Sequence, residues 1–165
     1  MKAVIAVSLA LFSASTFAHQ HVKPADPAGM PVSKTVSASS CWIRSIPAPA
    51  PSGGFFVLKN QGTSQVRLTG AQSPSYAMVM LHQTTHSDGM SRMSEVHEVA
   101  IPAAGQLEFK PGDYHVMLEK ADAGVKVGSV IQLNLLLDDG TKVVADCEVK
   151  PPTTMGGGHA HGKGH

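Results

Sequence analysis

Histidine and methionine are frequent in this sequence, and four of them have spacings that suit a metal site. The chain has nine histidines and eight methionines among 165 residues. Ten residues separate His82 from Met93, and twenty-one more separate Met93 from His115, with Met117 two positions later. Imidazole nitrogen and thioether sulfur are neutral ligands, and methionine sulfur is soft. The set therefore favours Cu(I) over harder divalent ions.

These residues need strands to bring them together. Residues two apart in a strand project from the same face, about 7 Å apart, so His115 and Met117 are predicted to point the same way. His82 lies near the end of one predicted strand and Met93 begins the next, so a turn between them brings both to one end of the domain. The sequence thus predicts four converging ligands.

Neighbouring residues of the same types leave alternatives open. Met78 and Met80 share a face with His82 and either pack in the core or line the site. His86 and Met90 fall in the predicted loop 83–92, as surface residues or as auxiliary copper contacts. His97 is interpreted as an exposed strand residue.

The supporting elements are predicted to be strands. Short runs of β-branched and apolar residues alternate with Gly, Pro, Asn and Asp about every ten residues, which indicates an antiparallel sandwich or barrel. Asp139-Gly140 predicts a hairpin with a type I′ turn. The predicted strands are 41–46, 55–60, 65–68, 76–83, 93–101, 106–109, 115–118, 130–137 and 142–149.

The first 18 residues have the features of a secretory signal peptide. Lys2 precedes a short apolar run, and small residues precede a predicted cleavage site after Ala18. The run is shorter than the roughly 20 residues that a membrane span needs, so no span is expected after cleavage. We expect a periplasmic protein.

Two further segments flank the predicted domain at 38–150. Residues 19–37 are interpreted as an extended leader rich in Pro, Ala and Ser. If cleavage follows Ala18, the free amine, two backbone amides and an imidazole of His19-Gln20-His21 form a square-planar Cu(II) site. Residues 151–165 are predicted to be a flexible tail, with a second copper site, for Cu(II), at four residues: Met155, His159, His161 and His165.

The two cysteines predict a disulfide, and the balanced charge argues against one class of partner. Cys41 in the first predicted strand and Cys147 in the last are predicted to form a disulfide, because exported chains commonly bridge their cysteines. A copper-binding or redox-active thiol pair is the alternative.

The formal net charge is only +1, with no basic run, which argues against a nucleic-acid partner.

The spacing His-x10-Met-x21-His-x-Met resembles the signature of the periplasmic copper chaperone family that helps assemble the copper A centre of cytochrome c oxidase. Two surrounding segments are also similar to that family: Cys41-Trp42-Ile43-Arg44 and the run Lys110-Pro111-Gly112-Asp113-Tyr114 before His115. The resemblance covers about residues 38–150. It implies a cupredoxin-like Greek-key barrel that binds one Cu(I) through His82, Met93, His115 and Met117.

The resemblance further implies a carrier without catalytic activity. It would deliver copper to a cytochrome c oxidase subunit or to another periplasmic copper chaperone. One alternative is a periplasmic copper buffer or resistance protein without a dedicated recipient. Another is a small copper redox protein, which the lack of a thiolate beside the last His-x-Met pair disfavours. No triad, paired-carboxylate or phosphate-binding motif is apparent.

Overall fold

The computed structural model describes residues 27–155, and these form an all-β domain. One turn of 3-10 helix at Pro27–Gly29 precedes the strands. The ten strands are β1 (Val36–Arg44), β2 (Ser52–Asn60), β3 (Val66–Gln72), β4 (Tyr76–Ser87), β5 (Met90–Glu95), β6 (Val99–Ile101), β7 (Gln106–Phe109), β8 (Tyr114–Ala121), β9 (Val130–Leu137) and β10 (Lys142–Lys150). The all-β prediction is confirmed.

The strands form one sheet that curves around a single core. Its order is β5-β4-β8-β2-β1-β10-β9-β3-β6, with β7 also paired to β2. Every pairing is antiparallel except that of β1 with β10. Alternate residues of β10 are buried, as expected for a strand with one face on a core. Phe56 and Phe109 stack inside, with ring centroids 4.5 Å apart.

The region around the predicted ligands differs from the sequence expectation in two respects. The predicted strand 93–101 is two strands, because β6 leaves β5 and pairs with β3 through Val66 and Ile101. The predicted loop 83–92 is instead a tight hairpin between β4 and β5. Its turn residues Asp88 and Gly89 both have positive φ, 51° and 74°, as a type I′ turn requires.

The predicted hairpin at Asp139-Gly140 is present, but its turn type was wrong. Gly140 has a φ of 80°, whereas Asp139 is not in the left-handed region. The Leu137 N–H donates to Thr141 O at 2.9 Å, which closes a three-residue loop. Such loops need one glycine at the left-handed position, and Gly140 supplies it.

The predicted boundary between leader and domain is shifted in the structure. β1 begins at Val36, inside the predicted leader, and Val32 forms a parallel bridge with Lys142. Residues 1–26, which include the predicted signal peptide, His19 and His21, lie outside the described part. The same holds for His159, His161 and His165. No helix within residues 27–155 is long and apolar enough to cross a membrane.

The predicted disulfide between Cys41 and Cys147 is confirmed. The parallel pairing of β1 and β10 places the two Cα atoms 4.4 Å apart. Beside Cys41, a bulge between Ser39 and Trp42 shifts the register of β1 on β2. The bridge spans a sequence separation of 106 residues and ties the first strand to the last. The alternative of a copper-binding or redox-active thiol pair is not what the structure shows.

Removing this disulfide is expected to destabilise the domain without changing its fold. A long closed loop restricts the unfolded chain, so Cys41→Ala with Cys147→Ala should lower the free energy of unfolding by about 2–4 kcal/mol. Urea unfolding of this double variant and the oxidised parent measures the difference. Thiol titration of the native parent is the control, and two reactive thiols there would contradict the bridge.

Candidate metal centre

Three neighbouring strands, β5, β4 and β8, present the predicted ligands on one face of the sheet. His82 lies directly opposite His115, and Thr84 lies opposite Met93. Cross-strand partners project from the same face, as do residues two apart in one strand. Met93, His82 and His115 therefore share a face, in adjacent rows.

The fourth predicted ligand lies on the same face. Met117 is opposite Met80, two residues from the His115–His82 pair on both strands. Two methionines and two histidines thus form a two-by-two ladder across β4 and β8. Met80 is half-buried and Met78 is 38% exposed, so neither belongs to the buried core.

Two of the side chains are already in contact. Nε2 of His115 lies 3.1 Å from Sδ of Met93. The rings of His82 and His115 stack with centroids 5.9 Å apart and an interplanar angle of 21°. Two atoms that each bond one metal ion at about 2.0–2.3 Å lie about 3–4 Å apart, so the His115–Met93 distance suits shared coordination.

A backbone carbonyl sets the tautomer of His115. Nδ1 of His115 is 2.9 Å from the carbonyl oxygen of Asp113. A carbonyl can only accept, so Nδ1 carries the proton and donates it. The lone pair is then on Nε2, the atom beside the Met93 sulfur. Histidine ligands of metal sites are commonly held in this way by a second hydrogen bond.

His82 is the buried member of the histidine pair. Its Nδ1 is buried and has no hydrogen-bond partner among the described residues. Burial lowers the pKa of His82, as does the charge of His115, while Glu95 and Glu119 act in the opposite direction. The ring therefore stays neutral at ordinary pH, the form in which imidazole binds metals.

The donor set suits a soft monovalent ion better than a hard one. Within residues 27–155, no three His, Cys, Asp or Glu side chains lie close enough together to hold a metal ion by themselves. The face offers two imidazoles and thioethers instead. Both cysteines are in the disulfide, so no thiolate is available. This chemistry fits Cu(I) and disfavours zinc, calcium and magnesium.

The site is open on one side and walled on the other. Met93 is 52% exposed, whereas Phe55 is buried with its ring centroid 6.5 Å from that of His115. The Trp42 ring contacts the Phe55 ring in a tilted arrangement with centroids 4.4 Å apart, and the Arg44 guanidinium carbon lies 5.4 Å from the Phe55 ring centroid. The ring lies over Gly53, where a Cβ would come within 3.0 Å of it. Aromatic side chains thus separate the ligands from β1.

The remaining candidates have different surroundings. His86 lies in β4, not in a loop, and both of its ring nitrogens have partners. Met90 is 72% exposed at the start of β5, and Met155 is 83% exposed after β10. His97 is exposed, as expected, but it lies between β5 and β6 rather than in a strand. The sequence did not predict the role of the Asp113 carbonyl, although Asp113 lies in the run 110–114 that carries the family resemblance.

Comparison with known proteins places the chain in a family. The family model "Putative lipoprotein LpqE-like" matches residues 36–149. A protein of Leifsonia xyli subsp. xyli named "Putative lipoprotein Lxx21020" is 29% identical over 107 residues, 64% of each chain. The present chain thus spans less than two thirds of the length of that curated relative.

Solved structures share the fold. The "apo PmoF2 PCuAC domain" superposes with a TM-score of 0.61 at 20% identity, covering 76% of this chain and 97% of that domain. The "CuI-DR1885" solution structure from Deinococcus radiodurans has a TM-score of 0.56 at 29% identity, with coverages of 75% and 83%. The resemblance noted in the sequence is confirmed: the chain belongs to the LpqE-like family, and its β domain is PCuAC-like.

Proposed function

We propose that this protein is an exported copper chaperone that binds one Cu(I) ion through His82, Met93, His115 and Met117. The contact between Nε2 of His115 and Sδ of Met93, on the face that also carries His82, is the observation that supports it most directly. The carbonyl of Asp113 leaves the Nε2 lone pair free for the ion. Four neutral donors match the preference of Cu(I).

Similar proteins support copper as the cargo. The Deinococcus radiodurans relative, 29% identical to this chain, was solved with Cu(I), and a more distant PmoF2 PCuAC domain was solved with copper. Export is supported by the signal-like first 18 residues and by the lipoprotein name of the Leifsonia relative. We infer the periplasm as the compartment, with a leader that ends before β1 begins at Val36 and residues 151–165 as the tail.

Delivery, rather than storage, is favoured by the exposure of one ligand. Met93 is half-exposed on β5, at an edge of the sheet, so a partner's ligand can approach the ion there. When ligands of the partner replace the thioethers one at a time, copper passes to the partner without being released into solution. The recipient that we propose is a cytochrome c oxidase subunit, for its copper A centre, or another periplasmic copper chaperone. A copper buffer lacks such a recipient.

A redox role is less well supported. Blue-copper electron transfer uses a cysteine thiolate, and both cysteines of the described residues are bridged, so neither offers a thiolate. We also propose Cu(II) sites at the mature N-terminus, through His19 and His21, and in the tail at Met155, His159, His161 and His165. Their imidazoles suit Cu(II) better than thioethers do.

Comparing the replacement of Met93 with that of Met90, on the opposite face of β5, distinguishes the loss of a copper ligand from the general effect of losing a methionine. Met93→Leu should weaken Cu(I) binding at least about 100-fold, because even changes around the ligands cost 10–100-fold. Met90→Leu is the matched control: three residues away in the strand, Met90 projects from the opposite face, so its loss should leave affinity unchanged. Anaerobic competition with a colorimetric Cu(I) chelator measures both.

A chain ending at Thr154, which lacks all four proposed tail ligands, distinguishes the core site from the tail. It should keep one tight Cu(I) equivalent, and His115→Ala with Met117→Leu in the same chain should abolish it. If the parent of this pair binds no tight equivalent, the core site is wrong.

The lowered pKa of His82 sets the pH dependence of copper binding. Cu(I) binds the neutral ring, and His82 takes up its proton only below the pH of about 6.5 at which ordinary histidine does. Proton competition at His82 should therefore leave affinity level from about pH 8 to 7 and weaken it only below the ordinary histidine value of about 6.5. Replacement by His82→Met removes the contribution of His82 to this pH dependence. A loss of affinity between pH 8 and 7 that His82→Met abolishes would contradict the assignment.

A further inference from the structure

His86 makes two hydrogen bonds that the proposed ligand set does not use. Its Nε2 lies 3.1 Å from the carbonyl oxygen of Gly112, and its Nδ1 lies 2.9 Å from Oγ of Ser91. The carbonyl can only accept, so Nε2 is the donor. Nδ1 is then left to accept from the Ser91 hydroxyl. With both nitrogens engaged, His86 is not arranged as a copper ligand.

The two partners of His86 lie on the two segments that flank β4. Ser91 is in β5, directly opposite His86 and two residues before Met93. Gly112 is in the turn between β7 and β8, three residues before His115. His86 itself is four residues beyond His82 on the same face of β4. The imidazole of His86 therefore connects β5, which carries Met93, to the turn that leads into β8, which carries His115 and Met117.

The turn that His86 holds is also the turn that orients His115. Asp113, next to Gly112, accepts through one carbonyl from Nδ1 of His115 at 2.9 Å and from the Thr84 N–H at 3.2 Å. The turn is closed by the Asp113 N–H, which donates to Lys110 O at 3.2 Å. Gly112 has a φ of 82°, a conformation that an L side chain rarely adopts. A shift of Gly112 thus moves the Asp113 carbonyl.

We propose that His86 is a positioning residue of the copper site: by holding Gly112 and Ser91, it fixes the Asp113 carbonyl and the place of Met93 beside His115. The consequence is a single His115 tautomer, with Nε2 unprotonated and next to the sulfur before copper arrives. The effect on copper affinity rests on the proposed function. The effect on the tautomer does not, because it is a property of the metal-free protein.

Three variants of the full chain test this role. His86→Phe keeps a ring and removes both hydrogen bonds, whereas His86→Gln keeps an amide N–H that can reach Gly112. His97→Phe is the matched control, since His97 is an exposed histidine outside the strands. Nitrogen-15 NMR of the metal-free proteins reports the His115 tautomer, and competition with a Cu(I) chelator reports affinity.

We expect the parent and His97→Phe to show His115 protonated only on Nδ1. His86→Phe should show a mixture of tautomers and a loss of Cu(I) affinity of about tenfold, the lower end for residues that orient ligands. His86→Gln should recover most of both. Thermal unfolding should show that each variant is folded, and His86→Leu, which also removes both hydrogen bonds, replaces His86→Phe if that variant is not.

Two results would overturn the proposal. One is an unchanged His115 tautomer in a folded variant that lacks both hydrogen bonds of His86, whatever the copper affinity. The other is a change in tautomer and affinity as large in His86→Gln as in His86→Phe, which would point to general destabilisation rather than to the bond to Gly112. Absence of tight Cu(I) binding in the parent would instead refute the proposed function, while the NMR comparison still decides the role of His86.

Discussion

The register between β4 and β8 is the constraint on which the site depends. It places His82 opposite His115 and Met80 opposite Met117, so two rows of soft donors lie side by side. Side chains alternate between faces along a strand, so a slip of one residue in either strand turns its donors toward the core. The buried residues Leu81, Val116 and Leu118, which alternate with the donors, prevent that slip, since it would bring them to the surface. The same strand pairing therefore specifies the hydrophobic core and the arrangement of the proposed metal ligands.

Much of this arrangement follows from local sequence. The strands at 106–109 and 130–137 have the predicted bounds, and the convergence of His82, Met93 and His115 on one face follows from strand periodicity and one tight turn. Asp88-Gly89 carries the same hairpin signal as Asp139-Gly140, yet it lies within the predicted loop 83–92. The reason is that His86 and Met90 on either side give no clear apolar alternation. Here the turn chemistry was a better guide than the hydrophobic pattern.

The remaining features depend on distant partners and could not be predicted locally. The division between β5 and β6 arises because Ile101 pairs with Val66, a contact that no pattern within 93–101 encodes. The orientation of His115 comes from a backbone carbonyl, and every residue has one, so the sequence does not distinguish Asp113. The wall of Phe55 and Trp42 likewise depends on the β1–β2 register after the bulge at Ser39–Trp42. Such features appear only when the sheet is assembled.

The exposure of Met93 has a chemical cost. An accessible thioether is readily oxidised to the sulfoxide, which replaces a soft donor with a polar, chiral group. Oxidants from the surroundings reach the half-exposed Met93 more easily than the half-buried Met117. Sulfoxide at this position would change the donor that lies beside His115 without entering the core, because Met93 is not one of the buried core residues. The same exposure that the proposed transfer needs thus makes Met93 the proposed ligand most sensitive to oxidation, and methionine sulfoxide reductases can reverse that oxidation.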